Sequence, residues 1–345
     1  MSRRPSREYD DFANREPSDD FLQRPMSRRT FLHRVGQAAV VGIASDTLAG
    51  ELMWAGTNPE IHVLDNPEAK QQFPTTYTLA IGGFNVSRVE GLGHAVASIL
   101  PGYGQVAYLQ NSTRGLDLAD IEREAVRFIE KNNVSRLRLY GHSMGGMLAT
   151  QLGATLKDKV DVLEALILDC SPASYRDVRG EDQTGTWVLQ ATDEMSLHLG
   201  PGARVLMETA SPIIDGKRDF FTVCKKALGK VSSGEICSNR LVQAQASLIR
   251  TFNASDYRHV FGNETSIIRL RPENYEADDT VNNETSLPRW RAGLAHEVLD
   301  IPVKGSGHAN PGQHEKQYAA ALLGAAQQCY FYRGEEIPRH RNGPI

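Results

Sequence analysis

The chain of 345 residues lacks the features by which proteins bind polyanions or cross bilayers. It has no run of Lys and Arg, and its formal net charge is −4, so nothing offers a basic face to neutralise phosphates. We therefore expect no nucleic acid among its partners. After the N-terminal region, no run of apolar residues is long enough to span a bilayer, and the chain contains no internal repeat.

Cysteine is also scarce. The four cysteines are Cys170, Cys224, Cys237 and Cys329, and none has the spacing of zinc ligands, which argues against a structural metal site. If the chain is exported, Cys224 and Cys237 would close a local disulfide and Cys170 could pair with Cys329. In a cytoplasmic protein all four would remain free thiols.

The first 50 residues read as a leader rather than as folded structure. Residues 1–26 are polar and show no apolar period, which predicts disorder. Next come Ser27-Arg28-Arg29-Thr30-Phe31-Leu32 and a weakly apolar stretch at 35–44, which together resemble a bacterial twin-arginine export signal. The resemblance implies the twin-arginine export machinery as a partner and a secreted or cell-envelope location. An amphipathic N-terminal helix or a retained membrane anchor is the alternative.

The most informative stretch is 136–150. Its apolar run at 137–140 predicts a buried strand, and the small and apolar residues at 146–156 predict a buried helix. Between them lies Gly141-His142-Ser143-Met144-Gly145, a Gly-x-Ser-x-Gly sequence in strand–turn–helix context. This pattern predicts a sharp turn that strains the backbone of Ser143 and places its hydroxyl above the sheet edge. Glycines are needed on both sides because a Cβ there would collide with neighbouring backbone.

The segment resembles the nucleophile elbow of the α/β-hydrolase superfamily, of the Gly-His-Ser-Met-Gly-Gly type found in lipases, esterases and thioesterases. The resemblance implies the α/β-hydrolase fold, a mostly parallel sheet flanked by helices with a helical lid insertion. Alternating strands and helices on both sides of the elbow agree with parallel βα units. We predict a leader at 1–50, core at 51–174, a helical lid at 175–262, and core with a tail at 263–345.

The resemblance also implies a catalytic acid and a histidine after the nucleophile, in that order. His308 lies on a glycine-rich loop after the last predicted strand, where the family places its histidine, whereas His142 is expected to point elsewhere. Of Asp278-Asp279, only one can hold the imidazole, because adjacent side chains point in different directions. We favour Asp279 as the acid, with Asp278 second and Asp169, at the end of an earlier strand, third.

Backbone donors for an oxyanion are predicted at two places. The strand at 77–81 ends in Gly82-Gly83-Phe84, where the family usually has His-Gly and a bulkier residue, so Gly82 departs from the family pattern. The departure leaves a backbone N–H donor intact, which makes Phe84 the predicted donor, with Asn85 as the second candidate, and Met144 its partner from the elbow. The alternative is a plain turn that ends the strand.

These residues predict a secreted serine esterase or lipase that acts on a small-molecule ester or lipid through an acyl-enzyme. The mechanism requires no metal or organic cofactor. Other chemistry on the same scaffold is the alternative: thioester hydrolysis, amide or peptide hydrolysis, or a haloperoxidase-like activity. A catalytically silent binding protein of the same fold is the alternative outside enzymes.

Overall fold

The computed structural model describes residues 58–84, 89–100, 102–112, 115–179 and 239–332. The predicted export signal, Cys224, Cys237 and residues 180–238 of the predicted lid lie outside these ranges, so those assignments remain predictions. Within the described ranges, no helix has both the length and the apolar character that crossing a membrane requires.

The described residues contain one sheet and the helices that cover it. The strands are β1 (Glu60–Val63), β2 (Thr76–Ile81), β3 (Gln105–Gln110), β4 (Arg136–His142), β5 (Val162–Asp169), β6 (Ser266–Pro272) and β7 (Val298–Val303). The helices are α1 (Pro67–Gln72), α2 (Glu90–Ile99), α3 (Leu118–Asn132), α4 (Met144–Leu156), α5 (Asn239–Thr251), α6 (Asn283–Leu294) and α7 (Glu315–Tyr332).

The direction in which successive strands are added to the sheet reverses between β2 and β4. The order is β1-β3-β2-β4-β5-β6-β7, in which β1 is antiparallel to β3 and every other neighbouring pair is parallel. The chain therefore adds β3 on one side of β2 and the later strands on the other side. In open α/β sheets, ligands bind at such a reversal, outside the carboxyl ends of the strands.

Both faces of the sheet are buried. In β2, Tyr77, Leu79 and Ile81 pack on one face with apolar side chains of α3, α4, α5 and α6. Ala80 points to the other face, where the apolar sides of α2 and α7 cover the sheet. The alternation follows from the two-residue period of a strand. The predicted α/β class, a mostly parallel sheet flanked by helices, is confirmed.

The end of the predicted lid packs against the core. Leu248, near the end of α5, and Phe252, just after it, belong to the larger apolar cluster, and the following turn at Ala254–Tyr257 packs beside α6. Leu241, nearer the start of α5, is fully buried against Phe84 and Leu116. α5 therefore reaches the loop that follows β2.

Candidate active site

The predicted nucleophile elbow joins β4 directly to α4. Ser143 sits between them with φ 54° and ψ −123°, in the region that a side chain disfavours. Its N–H donates to the Asp169 carbonyl at 2.8 Å, and its carbonyl accepts from Gly146 N at 3.0 Å. Surrounding contacts of this kind are what allow a strained residue to persist at a functional site.

The glycines beside Ser143 leave no room for a side chain. A Cβ on Gly141 would lie 2.3 Å from the Cα of Gly146, and one on Gly145 would lie 2.3 Å from the carbonyl oxygen of Ile81. Both obstacles are backbone atoms, which cannot rotate away as a flexible side chain can. The predicted need for glycine at these two positions is confirmed.

The structure brings Ser143, His308 and Asp278 into one hydrogen-bonded set. The His308 Nε2 lies 2.9 Å from Ser143 Oγ, and its Nδ1 lies 2.8 Å from Asp278 Oδ1. An ionised carboxylate can only accept, so Nδ1 carries the proton and Nε2 accepts from the serine hydroxyl. Asp278 is fully buried and the His308 side chain is 18% exposed, so the set opens to solvent at the histidine end.

The acid differs from the favoured prediction. Asp279 is exposed and accepts a hydrogen bond from the hydroxyl of Thr280 at 3.0 Å, so the expectation that it would hold the imidazole is wrong. Asp278, the second candidate, takes that place because its Oδ1 also accepts from the N–H groups of Thr280 and Val281, at 3.0 and 2.8 Å. This tight turn directs the first carboxylate of the pair inward and the second outward.

The environment of Asp278 keeps it ionised. Burial alone would raise the pKa of its carboxyl, but hydrogen bonding to His308, the charge of that ring and the two backbone donors lower the pKa below its ordinary value. Its second oxygen accepts from Asn283 Nδ2 at 2.6 Å. Asp278 therefore meets His308 as a fixed negative charge.

Two further buried side chains, Arg269 and Asn283, support Asp278, and no sequence motif predicted this role. Arg269 donates to the Asn283 carbonyl at 2.9 Å and to the amide oxygen of the Asn283 side chain, and it forms an ion pair with Asp300. Arg269 and Asn283 are both fully buried. The sequence does carry one signal for it, the arginine at 269 within the apolar strand β6, because a buried charge requires a partner.

Asp169, the third candidate acid, belongs to a different cluster. Its oxygens accept from the phenols of Tyr140 at 2.6 Å and Tyr318 at 3.0 Å. Burial raises the pKa of Asp169 to about 6, even though both phenols act in the opposite direction. The Tyr318 hydroxyl also accepts from Asn310 N at 3.2 Å, which ties this cluster to the loop that carries His308.

The loop after β2 lies against the elbow. A Cβ on Gly83 would lie 2.7 Å from His142 Nδ1 and 3.2 Å from the Cβ of Ser143, so the loop backbone rests directly on these two residues. Phe84, the predicted donor, is the next residue, and Met144 is the first residue of α4. N–H groups in the first turn of a helix have no partner within the helix, which leaves them available to an anion.

One group of side chains beside Ser143 has the composition of a metal site. Ligand atoms of Cys170, Asp278 and His308 lie within 4.8 Å of one another. Each already has a hydrogen-bonding role, because the Cys170 sulfur accepts from Ala309 N at 3.3 Å and the other two residues bind each other. Hydrogen bonding accounts for the cluster. Cys170 is a free thiol in the described part of the chain, and the side chain of Cys329, its predicted partner in an exported chain, lies outside that part.

A parallel sheet with a nucleophile elbow next to the strand-order reversal is the architecture of the α/β hydrolases. The model of the family described as the alpha/beta hydrolase family matches residues 82–321. The chain belongs to this family. No curated protein sequence matches it at a significant level.

Solved structures share this fold at low sequence identity. A carboxylesterase of the thaumarchaeon Nitrososphaera gargenis is 14% identical with a TM-score of 0.53, over 80% of this chain and 97% of that chain. An esterase of a marine microorganism is 14% identical with a TM-score of 0.51, over 77% and 98%. A candidate non-heme bromoperoxidase of Mycobacterium tuberculosis is 13% identical with a TM-score of 0.50, over 79% and 97%. These likenesses concern the fold.

Proposed function

We propose that the protein is a serine hydrolase that cleaves carboxylic esters through a covalent acyl-enzyme. The observation that carries the proposal is the pair of contacts on His308, 2.9 Å to Ser143 Oγ and 2.8 Å to Asp278 Oδ1. A serine hydroxyl is a weak nucleophile at neutral pH and needs an adjacent base held in the correct tautomer. Both requirements are met when Asp278 fixes the proton on Nδ1.

The reaction then follows from the positions of the protons. As Ser143 Oγ attacks the ester carbonyl carbon, its proton moves to His308 Nε2, and the resulting imidazolium is stabilised by the Asp278 carboxylate. His308 returns that proton to the leaving alcohol as the carbon–oxygen bond breaks. Water, deprotonated by the same nitrogen, then attacks the acyl-serine carbonyl carbon. His308 passes this proton to Ser143 Oγ as the bond between the acyl carbon and Oγ breaks, which releases the carboxylic acid and restores the serine hydroxyl.

In this proposal, the backbone N–H groups of Phe84 and Met144 bind the oxyanion of the tetrahedral intermediate. Two observations support this role: the loop 82–84 rests on the elbow, and Met144 begins α4 with the positive end of the helix dipole beside Ser143. Gly82, which stands where the family usually has histidine, is compatible with the role because the donor is backbone.

The same three residues could also attack the carbonyl carbon of a thioester or an amide. Among these three substrate classes, we propose esters. α/β hydrolases position substrate with the segments above the carboxyl edge of the sheet. Here α5 borders the loop after β2 through Leu241, which packs on Phe84. Rates on p-nitrophenyl esters of increasing acyl length, compared with matched acyl thioesters and anilides, will rank the three substrate classes. Turnover of thioesters or anilides above that of every ester would reject the ester assignment.

Substitution of Ser143 by alanine tests the proposal itself. We expect kcat for p-nitrophenyl ester hydrolysis to fall by at least about 10⁴-fold, because the nucleophile of the acyl transfer is removed. A fluorophosphonate probe should label the wild-type protein once, at Ser143, and should leave the variant unlabelled. Ser171→Ala is the matched control and should still be labelled. Ser171 is buried and donates to the Gly141 carbonyl at 3.2 Å. Unchanged hydrolysis in the variant would show that Ser143 is not the nucleophile. A wild-type protein that neither hydrolyses the ester nor is labelled would favour a catalytically silent binding protein.

We further propose that the chain is exported by the twin-arginine route. The support is the sequence at 27–32 and the weakly apolar stretch behind it. In a bacterial host, the full-length chain with a C-terminal epitope tag should appear outside the cytoplasm, and Arg28→Lys with Arg29→Lys should retain it inside. Equal distribution of the two forms would reject this route.

A further inference from the structure

His142 links the two loops that flank Ser143. Its Nε2 lies 2.5 Å from the carbonyl oxygen of Ala309, the residue that follows His308. A carbonyl oxygen can only accept, so Nε2 carries the proton and donates, while Nδ1 is a bare acceptor. On the other side of the ring, Gly83 comes so close that a Cβ there would lie 2.7 Å from Nδ1. The ring therefore lies between the loop after β2 and the loop of His308.

Ala309 needs such support. Its φ is 37°, in the left-handed region where an alanine is strained, and a single residue held there costs about 1–2 kcal/mol. The peptide groups on either side of its Cα are held by different side chains, because Cys170 Sγ accepts from Ala309 N at 3.3 Å and His142 donates to Ala309 O. A shift of Ala309 would move His308, which is its direct neighbour in the chain.

The ring also has the charge state that this position requires. Burial and the neighbouring His308 lower the pKa of His142 to about 4, so it remains neutral at pH 7. The two rings are 6.2 Å apart, centroid to centroid. A second positive charge at this distance would oppose formation of the His308 imidazolium during the reaction. A neutral His142 holds the His308 loop without this repulsion.

We propose that His142 is a positioning residue: its Nε2–H bond to Ala309 O fixes the His308 loop at the place where His308 Nε2 meets Ser143 Oγ. The inference rests on the proposed function and assigns no contact between His142 and substrate. For this role, a side chain at position 142 must place its hydrogen-bond donor as far out as Nε2 lies in histidine.

Two substitutions separate donor reach from mere bulk. Glutamine places its amide near the position of the histidine Nε2, whereas asparagine reaches only as far as Nδ1. We expect His142→Gln to keep kcat for a p-nitrophenyl ester within about threefold of wild type, as one hydrogen bond is replaced by another. We expect His142→Asn to lower kcat by about 10- to 100-fold with KM within about twofold, because a displaced base slows chemistry more than binding.

The rate of fluorophosphonate labelling at Ser143 should follow kcat in both variants. Melting temperatures measured alongside will show whether a variant is simply unfolded at the assay temperature. Equal, wild-type rates in both variants would overturn the inference, and so would equal losses in both, since glutamine should rescue what asparagine cannot. If the wild-type protein itself is not labelled, the proposed hydrolase function fails first, which is a distinguishable result.

Discussion

Substitution of Asp278 by asparagine should lower kcat/KM for ester hydrolysis by about 10⁴-fold, most of it in kcat. The Oδ1 position accepts from His308 Nδ1 and from two backbone N–H groups, and the Oδ2 position accepts from Asn283 Nδ2. An asparagine must therefore place its NH₂ group against other donors in either orientation. The negative charge that stabilises the imidazolium is lost as well.

The neighbouring carboxylate provides the matched control. Asp279→Asn changes the same functional group one residue along the chain, but that side chain is exposed and contacts Thr280. Its kcat/KM should remain within about twofold of wild type, because an exposed carboxylate that binds Thr280 rather than His308 contributes little. Steady-state kinetics of both variants with a p-nitrophenyl ester will compare their values of kcat/KM. A large loss in Asp279→Asn with little in Asp278→Asn would restore the assignment favoured from the sequence.

The second large effect concerns stability. Gly145→Ala should destabilise the fold by at least about 3 kcal/mol, because its Cβ would lie 2.3 Å from the Ile81 carbonyl oxygen and 2.6 Å from that of Gly82. These atoms belong to the end of β2 and the loop after it. The strain can be relieved only by separating β2 from the elbow, and separation would displace Phe84. The variant should therefore unfold at a lower denaturant concentration than wild type and should also lose fluorophosphonate labelling.

Gly91 gives the control for this second prediction. It is exposed in the first turn of α2, and a Cβ there would meet nothing within 4 Å. Gly91→Ala should leave labelling unchanged and stabilise the protein by about 0.5–1 kcal/mol, since alanine loses less backbone entropy in a helix. If Gly145→Ala unfolded at the same denaturant concentration as Gly91→Ala, the close approach of β2 to the elbow would be refuted.

Periodic elements could be predicted from the sequence with good bounds. The strand predicted at 77–81 lies within β2 (Thr76–Ile81), and the helix predicted at 146–156 lies within α4 (Met144–Leu156). These segments carry their signal locally, in apolar residues spaced for a helix face or concentrated in a buried strand. The elbow could be predicted for a related reason, because its glycines and serine are needed within five consecutive residues.

The acid could not be chosen in the same way. Asp278 and Asp279 are equivalent by composition and position, and the difference between them arises from a turn of three residues that turns one carboxylate inward. Asn283 and Arg269 were missed because their role depends on contacts between β6, the loop after it and the start of α6. The link from His142 to Ala309 spans 167 residues of sequence separation and has no local pattern.

Strand and helix periods and a glycine-bounded turn are properties of short segments, so the amino-acid sequence was enough to predict the class of fold and the serine and histidine that meet at 2.9 Å. Tertiary structure alone decided which carboxylate faces His308, which buried amide and guanidinium support it, and which ring holds the loop. Those choices depend on distances between side chains brought together from separate strands, and such distances exist only once the sheet has formed.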